Sequence, residues 1–233
     1  MGQATGRSIR TPRRRWRSRA GVVAVVAASC FAVVATDVWS GVSSASAAPS
    51  AAQSRVRQDD AVGDIAITAL ADLQAYRAYG DPSTLAQYGI LRDGIATALA
   101  GRLGVDASRM IAAWQAADVS HQMALMAAFT QLGVPYHTRM SKANEGFDCS
   151  GLTTYAWGLA GATLTRQSAA QIRAAGARTQ ATAMAGDLLY YPGHVMLWLG
   201  VDQSIVHAPY TGRNVEVDVV SKRHSLRYGN PIG

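Results

Sequence analysis

The apolar pattern of this chain changes period once, and the order of the two regimes restricts the fold. From Asp60 to about Ala175 apolar residues recur at helical spacing; beyond Gly186 they come in short strand-like runs punctuated by Gly, Pro and Asp. Ile65, Leu70, Leu73 and Tyr76 predict a first helix, stopped by Gly80-Asp81-Pro82. A second is expected over Leu85–Leu103, ending at Gly104, and a third from Asp106 or Ser108 to Ala117. Further helices are expected over His121–Leu132, Cys149–Leu159 and Gln167–Ala175, with an irregular stretch over Tyr136–Phe147. Strands are expected over Leu188–Tyr191, His194–Leu199, Ser204–His207 and Asn214–Val219. Helices first and strands afterwards define an α+β domain with a mainly antiparallel sheet.

The start of the chain reads as an address. Arg7, Arg10, Arg13, Arg14, Arg15, Arg17 and Arg19 form a basic head, Ala20–Ala35 an apolar stretch, and Ala45-Ser46-Ala47 a small-residue exit. These are the three parts of a secretory signal. The apolar stretch is shorter than the ~20 residues that span a bilayer. Residues 1–47 are therefore expected to be a signal peptide, with retention as an N-terminal membrane anchor the alternative. Cys30 makes a weak lipoprotein site, because it lies inside the apolar stretch with Ala27 three residues before it.

Removing the leader changes the charge. The whole chain has 22 Lys+Arg and 15 Asp+Glu, a net charge of +7; the leader holds seven of the basic residues and one acidic residue, Asp37. The remainder carries 15 basic against 14 acidic residues, a net charge of +1. The basic balance belongs to the leader and gives no ground for a nucleic-acid partner. Residues 48–59, made of Ala, Ser, Gln and Arg, read as a flexible tether. Residues 60–117 read as a helical accessory region and 118–233 as the main domain.

Export also isolates one thiol. Cys30 and Cys149 are the two cysteines of the chain, and the first leaves with the leader. An unpaired thiol in an oxidising compartment is a liability unless its reactivity is used. Asp148-Cys149-Ser150-Gly151 places the thiol at a helix start, where free N–H groups and the helix dipole favour thiolate. Gly151 leaves room for a substrate backbone, and neighbouring N–H groups can serve an oxyanion. Asp148 opposes thiolate if it points inward and is expected to turn away as a cap. Among His121, His137, His194, His207 and His224, two stand at strand ends: His194 opens a strand after Pro192-Gly193, and His207 closes the next one. In an antiparallel hairpin these ends are neighbours, so His207 can orient the imidazole of His194, the base for Cys149.

Four motifs in order carry a family resemblance: Phe147-Asp148-Cys149-Ser150-Gly151-Leu152, Ala185-Gly186-Asp187-Leu188, Gly193-His194-Val195 through Leu199-Gly200, and Val206-His207-Ala208-Pro209. From about Ser120 to Gly233 the chain resembles the NlpC-type, papain-like cysteine peptidases of the bacterial cell wall. The resemblance implies Cys149 as nucleophile, His194 as general base and His207 as third polar residue, without metal or cofactor. It implies cleavage of peptidoglycan stem peptides, typically at the D-glutamyl–diaminopimelate bond; secretion to the cell wall is expected from the leader, and the chain is expected to be a monomer. Leu132-Gly133-Val134-Pro135-Tyr136 matches a segment whose tyrosine reaches the family's active site, and Arg166 and Ser168 match a polar turn beside its cleft. Tyr136, Asp148, Ser150, Arg166 and Ser168 are thus the expected substrate contacts. The chain departs from the family after Pro135-Tyr136, where a Trp-Gly-Gly segment is usual and His137-Thr138-Arg139-Met140-Ser141-Lys142 stands instead. Arg139 or Lys142 is a candidate partner for a substrate carboxylate, with solvated loop charge the alternative.

Other readings keep the same residues. The altered wall suits a non-catalytic module that grips stem peptides, and Cys–His chemistry also serves amidases and acyltransferases on other substrates. A metal site from Cys149, His194 and His207 is the weakest of these readings.

Overall fold

The structure, a computed structural model, describes Gly2, residues 58–221 and residues 225–233. The leader, Cys30, His224 and the tether up to residue 57 lie outside the described residues. Six α-helices are described: α1 (Ala61–Tyr79), α2 (Pro82–Leu103), α3 (Ala107–Ala116), α4 (Val119–Phe129), α5 (Cys149–Ala160) and α6 (Ser168–Ala174). None among the described residues is long and apolar enough to cross a membrane.

Aspartate starts the first five. The side chains of Asp60, Asp81, Asp106, Asp118 and Asp148 accept hydrogen bonds from backbone N–H groups in the first turns of α1 to α5. This explains why α2 begins three residues before the sequence expectation of Leu85. Gly80, at φ 71°, ends α1, Asp81 caps the next helix, and Pro82 stands at its first position, where a missing N–H costs nothing. The stop signal is also a start signal. Helix α4 is likewise shifted, to Val119–Phe129, because Asp118 caps it and residues 130–133 form a turn closed by Leu132 N–H on Phe129 C=O (3.1 Å).

Eight strands follow or interrupt the helices: β1 (Ser141–Lys142), β2 (Gly146–Phe147), β3 (Gly176–Arg178), β4 (Leu188–Tyr191), β5 (His194–Trp198), β6 (Ser204–His207), β7 (Glu216–Val219) and β8 (Arg227–Asn230). Strands β1 and β2 form a small hairpin inside the stretch expected to be irregular. The other six make one antiparallel sheet in the order β3-β8-β4-β5-β6-β7. The fold is therefore α+β, with helices first and an antiparallel sheet after them, as the change of period indicated.

Strand β5 is buried along its whole length. Val195 and Leu197 join the main core with Trp157, Leu152, Phe147 and Phe129, while Met196 and Trp198 pack with Leu189, Ile205 and Tyr228 in a second cluster. That is the two-residue alternation of a central strand covered on both faces. Buried side chains of α1, α2 and α3 (Leu73, Leu99, Trp114) belong to the same main cluster. Trp114 stacks on Phe129 at 5.2 Å, and its indole N–H donates to Leu199 C=O at 2.8 Å. Arg77 on α1 donates to Ala160 C=O at the end of α5 (3.1 Å). The accessory helices thus share a core with the sheet and with the helix that carries Cys149.

Candidate active site

Cys149 is the first residue of α5, half-buried. Asp148 turns away from it into the capping position, its carboxylate 2.6 Å from Gly151 N–H. Arg166 closes a fork on that carboxylate, with Nη1 3.1 Å from Oδ1 and Nη2 3.1 Å from Oδ2. The guanidinium also donates to Met140 C=O (3.2 Å), which accepts from Asp148 N–H as well (3.0 Å). Ser150 is buried, its hydroxyl 3.0 Å from Arg166 C=O and 3.1 Å from Asp148 Oδ1. Asp148, Ser150 and Arg166 therefore form one hydrogen-bonded turn that fastens the 137–147 wall to the start of α5. Ser168 opens α6, half-buried, outside that turn.

Gly151 serves this turn rather than an incoming backbone. A Cβ there would fall on the Met140 carbonyl oxygen and lie 3.0 Å from Asp148 Oδ1. The expectation that the glycine leaves room for substrate is corrected: the protein's own loop occupies that room.

The direction of the Cys149 pKa also differs from the sequence expectation. Burial pushes it up, and the N–H groups of Val195, Ser150 and Cys149 itself draw it down. Asp148's charge still adds to burial from its capping position, and the net direction is upward. The helix start contributes as expected, but desolvation outweighs it. An isolated thiol here is a weaker acid than a free cysteine.

Across from α5, the two-residue turn Pro192–Gly193, with Gly193 at φ 92°, joins β4 to β5 and sets Tyr191 opposite His194. The β5/β6 register pairs Leu197 with Val206 and carries the start of β5 toward the end of β6. His194 Nε2 lies 2.8 Å from His207 Nδ1, both rings being buried. The backbone N–H of Val195, next to His194 in sequence, is among the groups that draw the Cys149 pKa down. The expected trio is thus gathered at one end of the sheet.

Two tyrosines complete the setting. Tyr136 is half-buried; burial first, and then the charge of Cys149, push its phenol pKa up. Tyr191 lies 5.3 Å from His194, ring centre to ring centre, and the same two effects raise its pKa. Sequence reasoning named Tyr136 and missed Tyr191, although the hairpin turn that places His194 fixes Tyr191 opposite it. Of the cations in the unusual wall, Lys142 pairs with Glu145 at 2.7 Å in solvent, and Arg139 is exposed at φ 60°. His137 is packed over Gly146, where a Cβ would meet its ring. His121 lies in the core, away from this trio, between Asp118 and Asp187.

A cysteine-headed helix across an antiparallel sheet, with hydrogen-bonded histidines at the strand ends, defines a papain-like α+β domain. Residues 133–228 match the NlpC/P60 family model, so the chain carries an NlpC/P60-family domain. Dipeptidyl-peptidase 6 of Lysinibacillus sphaericus is 35% identical over 102 residues, 42% of this chain and 36% of that protein. Peptidoglycan endopeptidase RipA of Mycolicibacterium smegmatis is 33% identical over 107 residues, 39% of this chain and 21% of that protein. The chain thus spans well under half the length of either relative. The solved structure of the peptidoglycan hydrolase RipB of Mycobacterium tuberculosis is 27% identical and covers 67% of this chain and 88% of that one, with a TM-score of 0.43.

Proposed function

We propose that this chain is an exported peptidoglycan endopeptidase that hydrolyses stem-peptide amide bonds through a thioester at Cys149. The observation that carries the reading is the buried His194–His207 bond of 2.8 Å, at the start of the strand that packs against α5. Nε2 of His194 is engaged by His207, and Nδ1 is proposed as the nitrogen that takes the thiol proton. Because burial raises the thiol's own pKa, thiolate forms as one half of a thiolate–imidazolium pair rather than alone.

The steps follow from that pair. The thiolate attacks the amide carbon, and N–H groups at the start of α5 meet the developing oxyanion. The C–N bond breaks as His194 returns its proton to the leaving amine. Water, giving its proton to His194, then attacks the thioester and regenerates the thiol. Peptidoglycan as substrate and the wall as location are supported by the relative named peptidoglycan endopeptidase and by the signal-like pattern of residues 1–47. Within the stem peptide we assign the D-glutamyl–diaminopimelate bond, the one the family resemblance implies. Tyr136, Asp148, Ser150, Arg166 and Ser168 are proposed to line or frame the substrate groove.

A second reading, a wall-binding module without turnover, is favoured by one observation, the upward direction of the Cys149 pKa. Mass analysis of purified muropeptides digested by the protein and by Cys149→Ala separates the two. New peptides cut at the stem bond with the wild type alone support hydrolysis. Equal products from both proteins, or binding without any product, refute it.

A further inference from the structure

For His194 to act as base, one proton must sit in one place. The 2.8 Å bond between His194 Nε2 and His207 Nδ1 holds a single proton when both rings are neutral. If His207 Nδ1 owns it, the proton of His194 moves to Nδ1, and that nitrogen cannot accept from the thiol. If His194 Nε2 owns it, His207 carries its own proton on Nε2 and His194 Nδ1 is bare. The productive arrangement thus needs something to hold a proton on His207 Nε2.

The β6/β7 register sets Glu216 directly opposite His207. Glu216 Oε1 lies 3.6 Å from His207 Nε2, and that nitrogen, inaccessible to water, has no partner at hydrogen-bond distance. The carboxylate is itself pinned from the other side. Arg213 donates to both oxygens, Nη2 to Oε1 at 2.5 Å and Nε to Oε2 at 3.2 Å. Its Nη1 lies 3.3 Å from the Tyr210 hydroxyl, and its guanidinium sits 5.7 Å over the Tyr210 ring. Asp218 is the next residue on the same face of β7, with a carboxylate oxygen within 4.8 Å of the His207 and Glu216 ligand atoms. Among the described residues, Tyr191 on β4 and Cys149 on α5 are further titratable groups near the two rings.

We propose that Glu216 is a positioning residue of this site: its carboxylate holds the His207 proton on Nε2 and so keeps the His194 proton on Nε2, with Nδ1 in the unprotonated form that a base requires. At 3.6 Å the contact is an ionic attraction that selects the tautomer, longer than the ~2.7–3.2 Å of a formed N–H···O bond. It shortens when imidazolium forms, as catalytic bonds often do in the reacting complex. Burial pushes the Glu216 pKa up, but the nearby His207 ring and the bonds from Arg213 outweigh it and lower the value, so the carboxylate stays anionic for this task. Arg213 fixes the carboxylate and tempers its charge. The inference rests on the Cys149–His194–His207 reading, and its test separates the two.

The test is nitrogen-15 NMR of the histidine rings in the purified protein, with the pH dependence of Cys149 alkylation by iodoacetamide; neither needs a substrate. His207 is expected as the Nε2–H tautomer in the wild type, shifting toward Nδ1–H in Glu216→Gln. In that variant the alkaline limb of the alkylation profile moves to lower pH, and kcat on muropeptides falls about a hundredfold, the low end of what a positioned acid–base group contributes. Glu216→Asp restores part of both effects, whereas loss of mere packing is not repaired by returning a shorter acid. A wild-type His207 protonated on Nδ1, or an unchanged tautomer and alkylation profile in Glu216→Gln, overturns the proposal. If Glu216→Gln lacks the native near-ultraviolet spectrum, the wild-type tautomer decides alone. A wild type that holds the Nε2–H tautomer, loses it in Glu216→Gln, and never cuts muropeptides refutes the substrate reading and leaves this one standing.

Discussion

Replacing His121 with leucine takes the bridging ring from between two carboxylates in the core. His121 is fully buried, with Nδ1 2.8 Å from Asp118 Oδ2 and Nε2 3.0 Å from Asp187 Oδ1. Ionised carboxylates only accept, so both bonds form together only when both ring nitrogens carry protons. The pKa directions agree. For His121, burial pulls down, but the bonds to Asp187 and Asp118 outweigh it and the value rises. For Asp118, burial pushes up, and the backbone and ring N–H groups of His121 bring the value down. The network ties the start of α4 to the residue before β4, so it holds a helix against the central sheet.

Leucine at 121 keeps the bulk and leaves Asp187, without exposed surface, holding only the Met184 N–H at 2.8 Å. Removing one partner of a buried pair costs about 3–5 kcal/mol, and losing the edge-on contact with Trp157 at 4.9 Å adds about 0.5–1.5 kcal/mol. With a urea slope of about 2 kcal/mol per molar, the midpoint falls by roughly 2–3 M. Urea unfolding at pH 6, followed by near-ultraviolet circular dichroism, measures it. The pH dependence has a definite sign. A raised histidine pKa stabilises fully below the unfolded value of 6.5 and loses that stabilisation as pH rises through the folded value. The lowered Asp118 pKa contributes above 3.8 and fades as pH falls through its folded value. The difference between wild type and His121→Leu is therefore largest between these limits and shrinks on the alkaline side. His121→Leu/Asp187→Leu should recover much of the loss, since no buried charge is stranded. A single variant within about 1 kcal/mol of wild type, or a double variant as unstable as the sum of its parts, refutes the reasoning.

Gly151→Ala forces its Cβ onto Met140 C=O and must push the 137–147 wall off α5; turnover of muropeptides should drop at least tenfold while the far-ultraviolet spectrum stays native. Gly186→Ala meets a φ of 101° and the His121 carbonyl oxygen at 2.9 Å. It should cost about 1–3 kcal/mol in urea unfolding, the usual strain of such a backbone. Trp114→Phe keeps the stacking on Phe129 and loses the 2.8 Å bond to Leu199 C=O. A loss of about 1–3 kcal/mol is expected where that carbonyl is left unpaired, and no loss would mean α3 is held by packing alone.

Local chemistry made some of this molecule legible and hid the rest. Caps and hairpin ends act within a few residues, so Asp148 before Cys149, and His194 facing the end of the next strand, could be read from adjacent letters. Asp81 was misread because one residue can stop a helix and start another; the structure shows both uses in three consecutive positions. Strands β3 and β8 left no alternating signal, being three and four residues long and containing glycine. Gly229 stands in β8 because Ala175 Cβ and Ile172 Cδ1 lie 2.8 and 2.9 Å from where its own Cβ would be. That is a tertiary reason with no local trace. Glu216 and His121 were passed over for the same cause: one gains its meaning from the strand register and the other from a carboxylate 66 residues away. The acidity of Cys149 shows the limit from the other side. Its helix start was visible in four letters, but the burial that reverses the sign belongs to the assembled core and leaves no trace in the neighbouring residues.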